Sequence, residues 1–389
     1  MKSRNVLLAT ISREWRRITS RRIYFWAMVV APLLSAVILL SMMGRGLPMR
    51  LPCAVVDLDH TEVSRSVLTT LDALQYAEIK SKYNSYSEAL DAVQRGEVFG
   101  FFVIPEHFAD DALAGRSPQI SLYSNYVYYI PATMLYKGFV TTATLAKGGL
   151  VKGKLEAMGA SEYTITPRLV PIANHVHQIG NPWMSYNIYL GNSFIPCVLA
   201  LMVLLVTAYS ILIEIKHYTS IEWLTTAGNS MTVALVGKLL THTLVFFVVG
   251  VLIDILMYDI YGFPVNCSPW IVLLNTLLLV IGSQAFAAFV AMVIPNLRFA
   301  VSICALLGIL SFSTCGFSFP CEQMYGAVEP FAWIMPMRYY FMIYIDQVLN
   351  GIDLYYSRYY FAMLIGFVLL PFTFGWYLKR KCLNPVYIE

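Results

Sequence analysis

Residues 21–43 read RRIYFWAMVVAPLLSAVILLSMM. Two arginines and a cluster of aromatics open a run of about 20 apolar residues, enough for a helix to cross the hydrocarbon core of a bilayer. The run is longer than the apolar part of a secretory signal and lacks a small-x-small cleavage site. It is therefore expected to be a retained first span rather than a leader.

The rest of the chain has the same character. Of its 389 residues 58% are hydrophobic and only 13% charged, with a mean hydropathy of +0.62. Soluble globular chains carry roughly 25% charged residues. Besides 23–43, five runs qualify as spans: 190–213, 233–257, 271–293, 299–319 and 358–378. Block 44–189 between the first two holds 12 Lys/Arg and 13 Asp/Glu, which marks a folded insert. The expected fold is an α-helical polytopic membrane protein with six transmembrane helices and an inserted extracytoplasmic α/β domain.

Orientation follows from basic residues close to the spans. Lys2, Arg4, Arg13, Arg16, Arg17, Arg21 and Arg22 precede the first, and Lys379, Arg380 and Lys381 follow the last in tail 379–389. Six spans put both ends on one side, so both termini are expected in the cytoplasm, with block 44–189 outside and the chain in the cell inner membrane. A net charge of +4 is too small to indicate a nucleic-acid partner. The seven cysteines show no zinc-ligand spacing and read as small apolar fillers.

Inside the insert the pattern alternates. Strands are predicted at 53–57, 77–82, 98–104 and 119–123, and helices at 62–73, 86–95, 106–114 and 127–157, with an extended stretch over 163–182. The first strand runs into Asp57-Leu58-Asp59-His60-Thr61, the D-x-D-x-T spacing of an aspartyl-phosphate phosphatase. A membrane-anchored extracytoplasmic enzyme using Asp57 and Asp59 is one alternative. It would need metal acids such as Asp110 and Asp111, which fall in a predicted helix. Asp and Thr ahead of an apolar-periodic helix are more simply turn and capping residues. Residues 148–154, GGLVKGK, imitate a phosphate loop, but Leu155 stands where Ser or Thr should hold Mg²⁺. No nucleotide site is expected in this chain. His175 and His177 alternate in an extended stretch without a visible third metal ligand.

Three segments suggest a moving machine. In segment 1–22, Leu7, Ile11, Trp15 and Ile18 share one helical stripe, with Arg13, Arg16 and Arg17 opposite. Such a helix is expected to lie flat on the inner leaflet with its basic face toward lipid headgroups. The plainer alternative is a topology signal with no packing role. Loop 214–232 carries a short amphipathic helix in which Trp223, expected to be exposed beside the carboxylate of Glu222, suits a socket on a partner; an ordinary loop is the alternative. Segment 320–357 is too apolar for a loop and is expected to form re-entrant helices, opened by Pro336 and closed by Gly351, with Arg338 and Asp346 as charges at interfacial depth. Within the spans His242 and Asp254, both in the third, are the intramembrane polar candidates, either for a transport path or for helix–helix hydrogen bonds.

These features together resemble the permease subunit of an ABC-2 type transporter, in the branch with a large outer domain after the first span. The family's cytoplasmic loop reads roughly E-x-x-x-G-T-x-E-x-L. Glu214, Thr219-Ser220, Glu222 and Leu224 occupy the corresponding places, with Thr219-Ser220 where Gly-Thr is usual and no Pro after the loop helix. Asn181-Pro182 before the second span and Asn350-Gly351 also match family positions, and Met335-Pro336-Met337-Arg338-Tyr339 resembles the family's N-P-x-R/T-Y with Met in place of Asn.

The resemblance implies one half of an exporter. Two permease protomers, identical or paralogous, would pack with two cytosolic ATP-binding cassette subunits. Glu214, Thr219, Glu222, Trp223 and Leu224 would form the coupling element, with the N-terminal helix in the same contact. No cofactor would be bound by this chain; ATP and Mg would sit on the partner subunit. The cargo would be small and amphipathic, drug-like or lipid-like, with a possible periplasmic adaptor; polysaccharide or peptide export is the alternative. An anchored scaffold that moves nothing is a third class.

Overall fold

The computed structural model describes residues 2–44, 46–159, 180–181 and 184–385. The chain divides into two compact units, Met1–Gly46 with Gln178–Glu389, and Leu47–His177.

In the first unit six helices are long and apolar enough to cross a membrane: Arg22–Met42, Tyr186–Lys216, Met231–Ile260, Pro269–Val293, Leu297–Thr314 and Leu354–Leu383. The second and fourth are the most buried and form the centre of the bundle. The others keep apolar side chains on the outside. On the third span Leu240, Leu244, Val248 and Leu252 form an exposed stripe at every fourth residue. A surface of this kind requires hydrocarbon or another helix against it, not water. Small residues set the closest approaches. A Cβ on Gly237 would lie 2.7 Å from Thr10 Cγ2, so only glycine lets the N-terminal helix Lys2–Ser20 seat on the third span.

Prolines explain two irregularities. The first span widens into a π turn over Trp26–Val30 just before Pro32, which has no N–H to offer the carbonyl of Met28. The sixth span breaks at Val368 and Leu369. There the N–H groups fall back on carbonyls three residues earlier, at 3.0 Å each, and a new helix starts with Pro371 in its first turn. The fifth span is shorter than predicted and ends at Thr314, which leaves Cys315 beyond it.

After the fifth span come two short helices, Val328–Ile334 and Pro336–Ile343, the latter running on to Leu349. Pro336 occupies the first turn of the second helix and Gly351 ends the segment with φ +61°. Arg338 is buried. Its Nη1 donates to the carbonyl of Cys315 at 2.7 Å, where the fifth span's unpaired carbonyls favour a cation, and its guanidinium lies 4.9 Å from the Trp333 ring. Tyr339 donates its hydroxyl to the Trp333 carbonyl at 2.7 Å, which binds the two short helices together. Asp346 accepts from Ser357 of the sixth span at 3.1 Å. Burial raises its carboxyl pKa, and the Ser357 bond offsets part of that.

The second unit is a four-stranded sheet, β1 Leu51–Asp57, β2 Ala77–Tyr83, β3 Gly100–Ile104 and β4 Ser121–Ser124, in the order β2-β1-β3-β4. The first three strands are parallel and β4 is antiparallel to β3. Strand β1 shows why the sheet is covered on both faces. Cys53 and Val55 join Leu68, Leu71 and Leu135 on one side, while Ala54 and Val56 join Ala89 and Ala92 on the other. Helices Glu62–Ala73 and Tyr129–Ala157 supply the first cover and Tyr86–Gln94 the second.

Candidate functional site

The N-terminal helix turns Thr10, Glu14 and Ile18 into the bundle. Two of these three are polar, and the surface they meet on the third span is polar too. Lys238 and His242, four residues apart, face the same way, and both are fully buried. Lys238 Nζ donates to Glu14 Oε2 at 2.6 Å, and His242 Nε2 lies 3.0 Å from Glu14 Oε1. The same ammonium donates to Glu214 Oε1 at 3.1 Å, at the end of the second span. Glu214 is the hub. Arg13 grips it with two parallel bonds of 2.9 and 3.1 Å, Arg17 pairs with it, and Thr219 donates to its Oε2 at 2.5 Å. Arg13 Nε then reaches Glu222 Oε1 at 3.1 Å on the loop helix Ser220–Thr226.

Three cations, Arg13, Arg17 and Lys238, thus meet three carboxylates, Glu14, Glu214 and Glu222. A buried ion pair is tolerated only when each charge is matched and bonded, and here the matching links four elements. Trp223 completes the joint. It is the largest of the fully buried side chains and lies under the Lys238 ammonium, 4.9 Å from the ring centroid. Ser220 donates to the carbonyl of Cys382 at 2.8 Å and fastens the loop helix to the sixth span as well.

Electrostatics outside the spans follow the same contacts. Burial alone would raise the Glu14 carboxyl, but Lys238 and His242 outweigh it and hold the group well below the usual carboxylate range. Burial would likewise lower Arg13, and Glu214 and Glu222 reverse that. A carboxyl depressed in the folded state contributes stability above its unfolded value and loses it as pH falls. For Glu14 the contribution is complete at neutral pH and declines as pH drops below its ordinary value of 4.5. Thermal unfolding of Glu14→Gln should show a shallower loss of stability on the acid side than the parent.

The family model for ABC-2 family transporter proteins matches residues 21–377. The chain belongs to the ABC-2 transporter family. It is a multi-pass membrane protein and a membrane component of the transport machinery, as the six apolar helices require. Among curated proteins no match is found.

For this ABC-2 protein the structure brings Glu214, Thr219, Glu222, Trp223 and His242 into one cluster, with Leu224 buried beside it. Two expectations are corrected. Trp223 is not exposed. Neighbours in a helix point about 100° apart, so when Glu222 faces out Trp223 faces in. The exposed aromatic at this place is Tyr218, 62% accessible. The basic face of the N-terminal helix does not turn wholly to lipid either, since Arg13 and Arg17 turn inward to Glu214. Of the apolar stripe Ile18 is buried, Leu7 and Ile11 are half-buried, and Trp15 is exposed. Asp254 lies apart, accepting from Thr276 of the fourth span at 2.8 Å. Both intramembrane candidates therefore make helix–helix bonds. Pro336, Arg338, Tyr339 and Asp346 hold together the segment after the fifth span.

Sequence reasoning missed Glu14 and Lys238. Signals existed for both. Glu14 is the only acid before Asp57, set in a run of basic residues, and Lys238 stands one helical turn before His242. The D-x-D-x-T stretch is structural. Asp57 Oδ1 accepts from the amides of Asp59 and His60 at 3.1 and 3.2 Å, and its Oδ2 accepts from Ser64 at 2.8 Å. Asp59 takes bonds from Thr61 and from the Ala109 amide, and Thr61 caps helix Glu62–Ala73. Residues 148–154 lie inside helix Tyr129–Ala157, where the backbone amides that would cradle phosphate are spent on the helix. His175 and His177 lie outside the described residues.

Proposed function

We propose that this chain is the permease half of an ATP-driven exporter in the cell inner membrane, with both termini cytoplasmic and block 44–189 outside. Two protomers would assemble with two cytosolic ATP-binding cassette subunits that supply the ATP and Mg. The cargo would be a small amphipathic molecule, taken from the cytoplasm or the inner membrane and passed on directly or to an adaptor.

The observation that carries this is the ion cluster centred on Glu214. Through Arg13 and Lys238 it ties the loop helix to the N-terminal helix and to the second and third spans. A push on the loop helix cannot be absorbed by bending a loop; it moves those elements together. An ATPase that grips this face more tightly in its closed state would therefore bias the whole bundle. The face available for that grip consists of Tyr218, Ile221, Glu222 and Thr225, which are exposed on one side of the loop.

The test is co-purification of the tagged chain with its ATPase from native membranes. Ile221→Asp places an unpaired charge at the centre of the proposed contact and should weaken association about 30-fold, the scale of an interface hot spot. If Ile221→Asp and Tyr218→Asp both retain the ATPase at the parental level, the contact lies elsewhere and the coupling assignment fails.

A further inference from the structure

Two cavities adjoin where the N-terminal helix meets the first span. One, of 320 Å³, is lined by Arg13, Arg16, Arg17, Arg21, Thr219 and Glu222. The other, of 370 Å³, is lined mainly by apolar side chains, among them Ile18, Met28, Val29 and Val245, together with Arg21 and Arg22. Arg21 lines both, so a strongly basic compartment continues into an apolar one.

The ion cluster does not use up this basic charge. Arg13 is committed to Glu214 and Glu222. Arg17 gives Nη1 to Glu214, but its side chain is only 9% exposed and its Nε and Nη2 have no partner among the described residues. Donors buried in this way are costly unless an acceptor is supplied. Arg16, Arg21 and Arg22 have no ion-pair partner among the described residues. The one carboxylate facing the cavity, Glu222, is already held by Arg13. The compartment therefore carries an excess of positive charge. A small free anion would account for the arginines but not for the apolar extension between the first and third spans.

We propose that this two-part cavity is a binding site for one anionic phospholipid. Its phosphate would be held by Arg16, Arg17 and Arg21, and an acyl chain would lie along Met28, Val29 and Val245. Basic pockets between helices at a membrane surface suit such headgroups. Because Thr219 and Glu222 line the same compartment, the bound lipid would also brace the loop helix.

The experiment is lipid binding to the purified full-length chain by native mass spectrometry, with phosphatidylglycerol, phosphatidylcholine and inorganic phosphate as separate probes. Phosphatidylglycerol should bind at one site, in preference to phosphatidylcholine, and more weakly at high salt. Arg16→Ala/Arg21→Ala should weaken it about 30-fold, while Arg16→Lys/Arg21→Lys should keep most of the affinity. Neither residue belongs to the ion cluster, so folding should survive. Val245→Trp fills the apolar half with the arginines intact and should weaken phosphatidylglycerol as well. Equal binding of the two lipids would mean a general lipid coat. Competition by inorganic phosphate with no effect of Val245→Trp would mean a free-anion site. Either result overturns the proposal.

Discussion

Lys238→Met should be among the most damaging single substitutions in the chain. The ammonium is fully buried and is shared by Glu14 and Glu214. Removing it leaves Glu14 with His242 alone and takes one of three cations from Glu214, and breaking a buried pair from one side costs about 3–5 kcal/mol. That is a large part of the roughly 5–15 kcal/mol that stabilises a typical protein. The expected result is a sharp fall in monodisperse protein after detergent extraction and a much lower unfolding temperature. Methionine keeps the volume, so the loss reports charge rather than packing. Adding Glu14→Gln to Lys238→Met should recover part of the stability, because the stranded charge goes with its partner. A double variant no better than the single one would show that the ammonium is not what holds the N-terminal helix.

The second large effect is expected at Trp223. Trp223→Ala empties a fully buried site and removes the ring over which Lys238 sits, at a cost of about 3–5 kcal/mol. Tyr218→Ala, five residues earlier and exposed, should change unfolding by no more than about 0.5 kcal/mol. The pair separates two roles that look alike in the sequence. Trp223 should govern whether the loop helix stays seated, and Tyr218 whether a partner recognises it. Equal effects of the two on unfolding would contradict the burial assigned to Trp223.

What the sequence made legible follows from the range of the interactions. Spans are local: about twenty apolar residues announce themselves, and the six helices lie where the runs do, with ends moved by a few residues. The cap at Thr61 and the turn at Asp57 are also local, because their partners are within seven residues. The ion cluster is not local. Arg13 and Glu214 are 201 residues apart, and Lys238 and Glu14 are 224 apart. No periodicity connects such pairs. The amphipathic pattern of the N-terminal helix even pointed the wrong way. It predicts a basic face turned to lipid headgroups, whereas the third span offers Lys238 and His242, and the polar line of Thr10 and Glu14 packs against them. Trp223 failed for a simpler reason, since residues adjacent in the chain occupy different faces of a helix.

The separation of Glu14 from Lys238 also constrains how the protein is made. At about 5–20 residues per second, a ribosome needs on the order of 10–45 s to travel from one to the other. Throughout that interval Glu14 exists without the cation that pairs with it. The basic N-terminal segment, tethered by the first span, must wait at the membrane surface. Only when the third helix arrives does it have a seat. The charges that close the finished joint therefore delay the seating of its earliest segment until the third span is made.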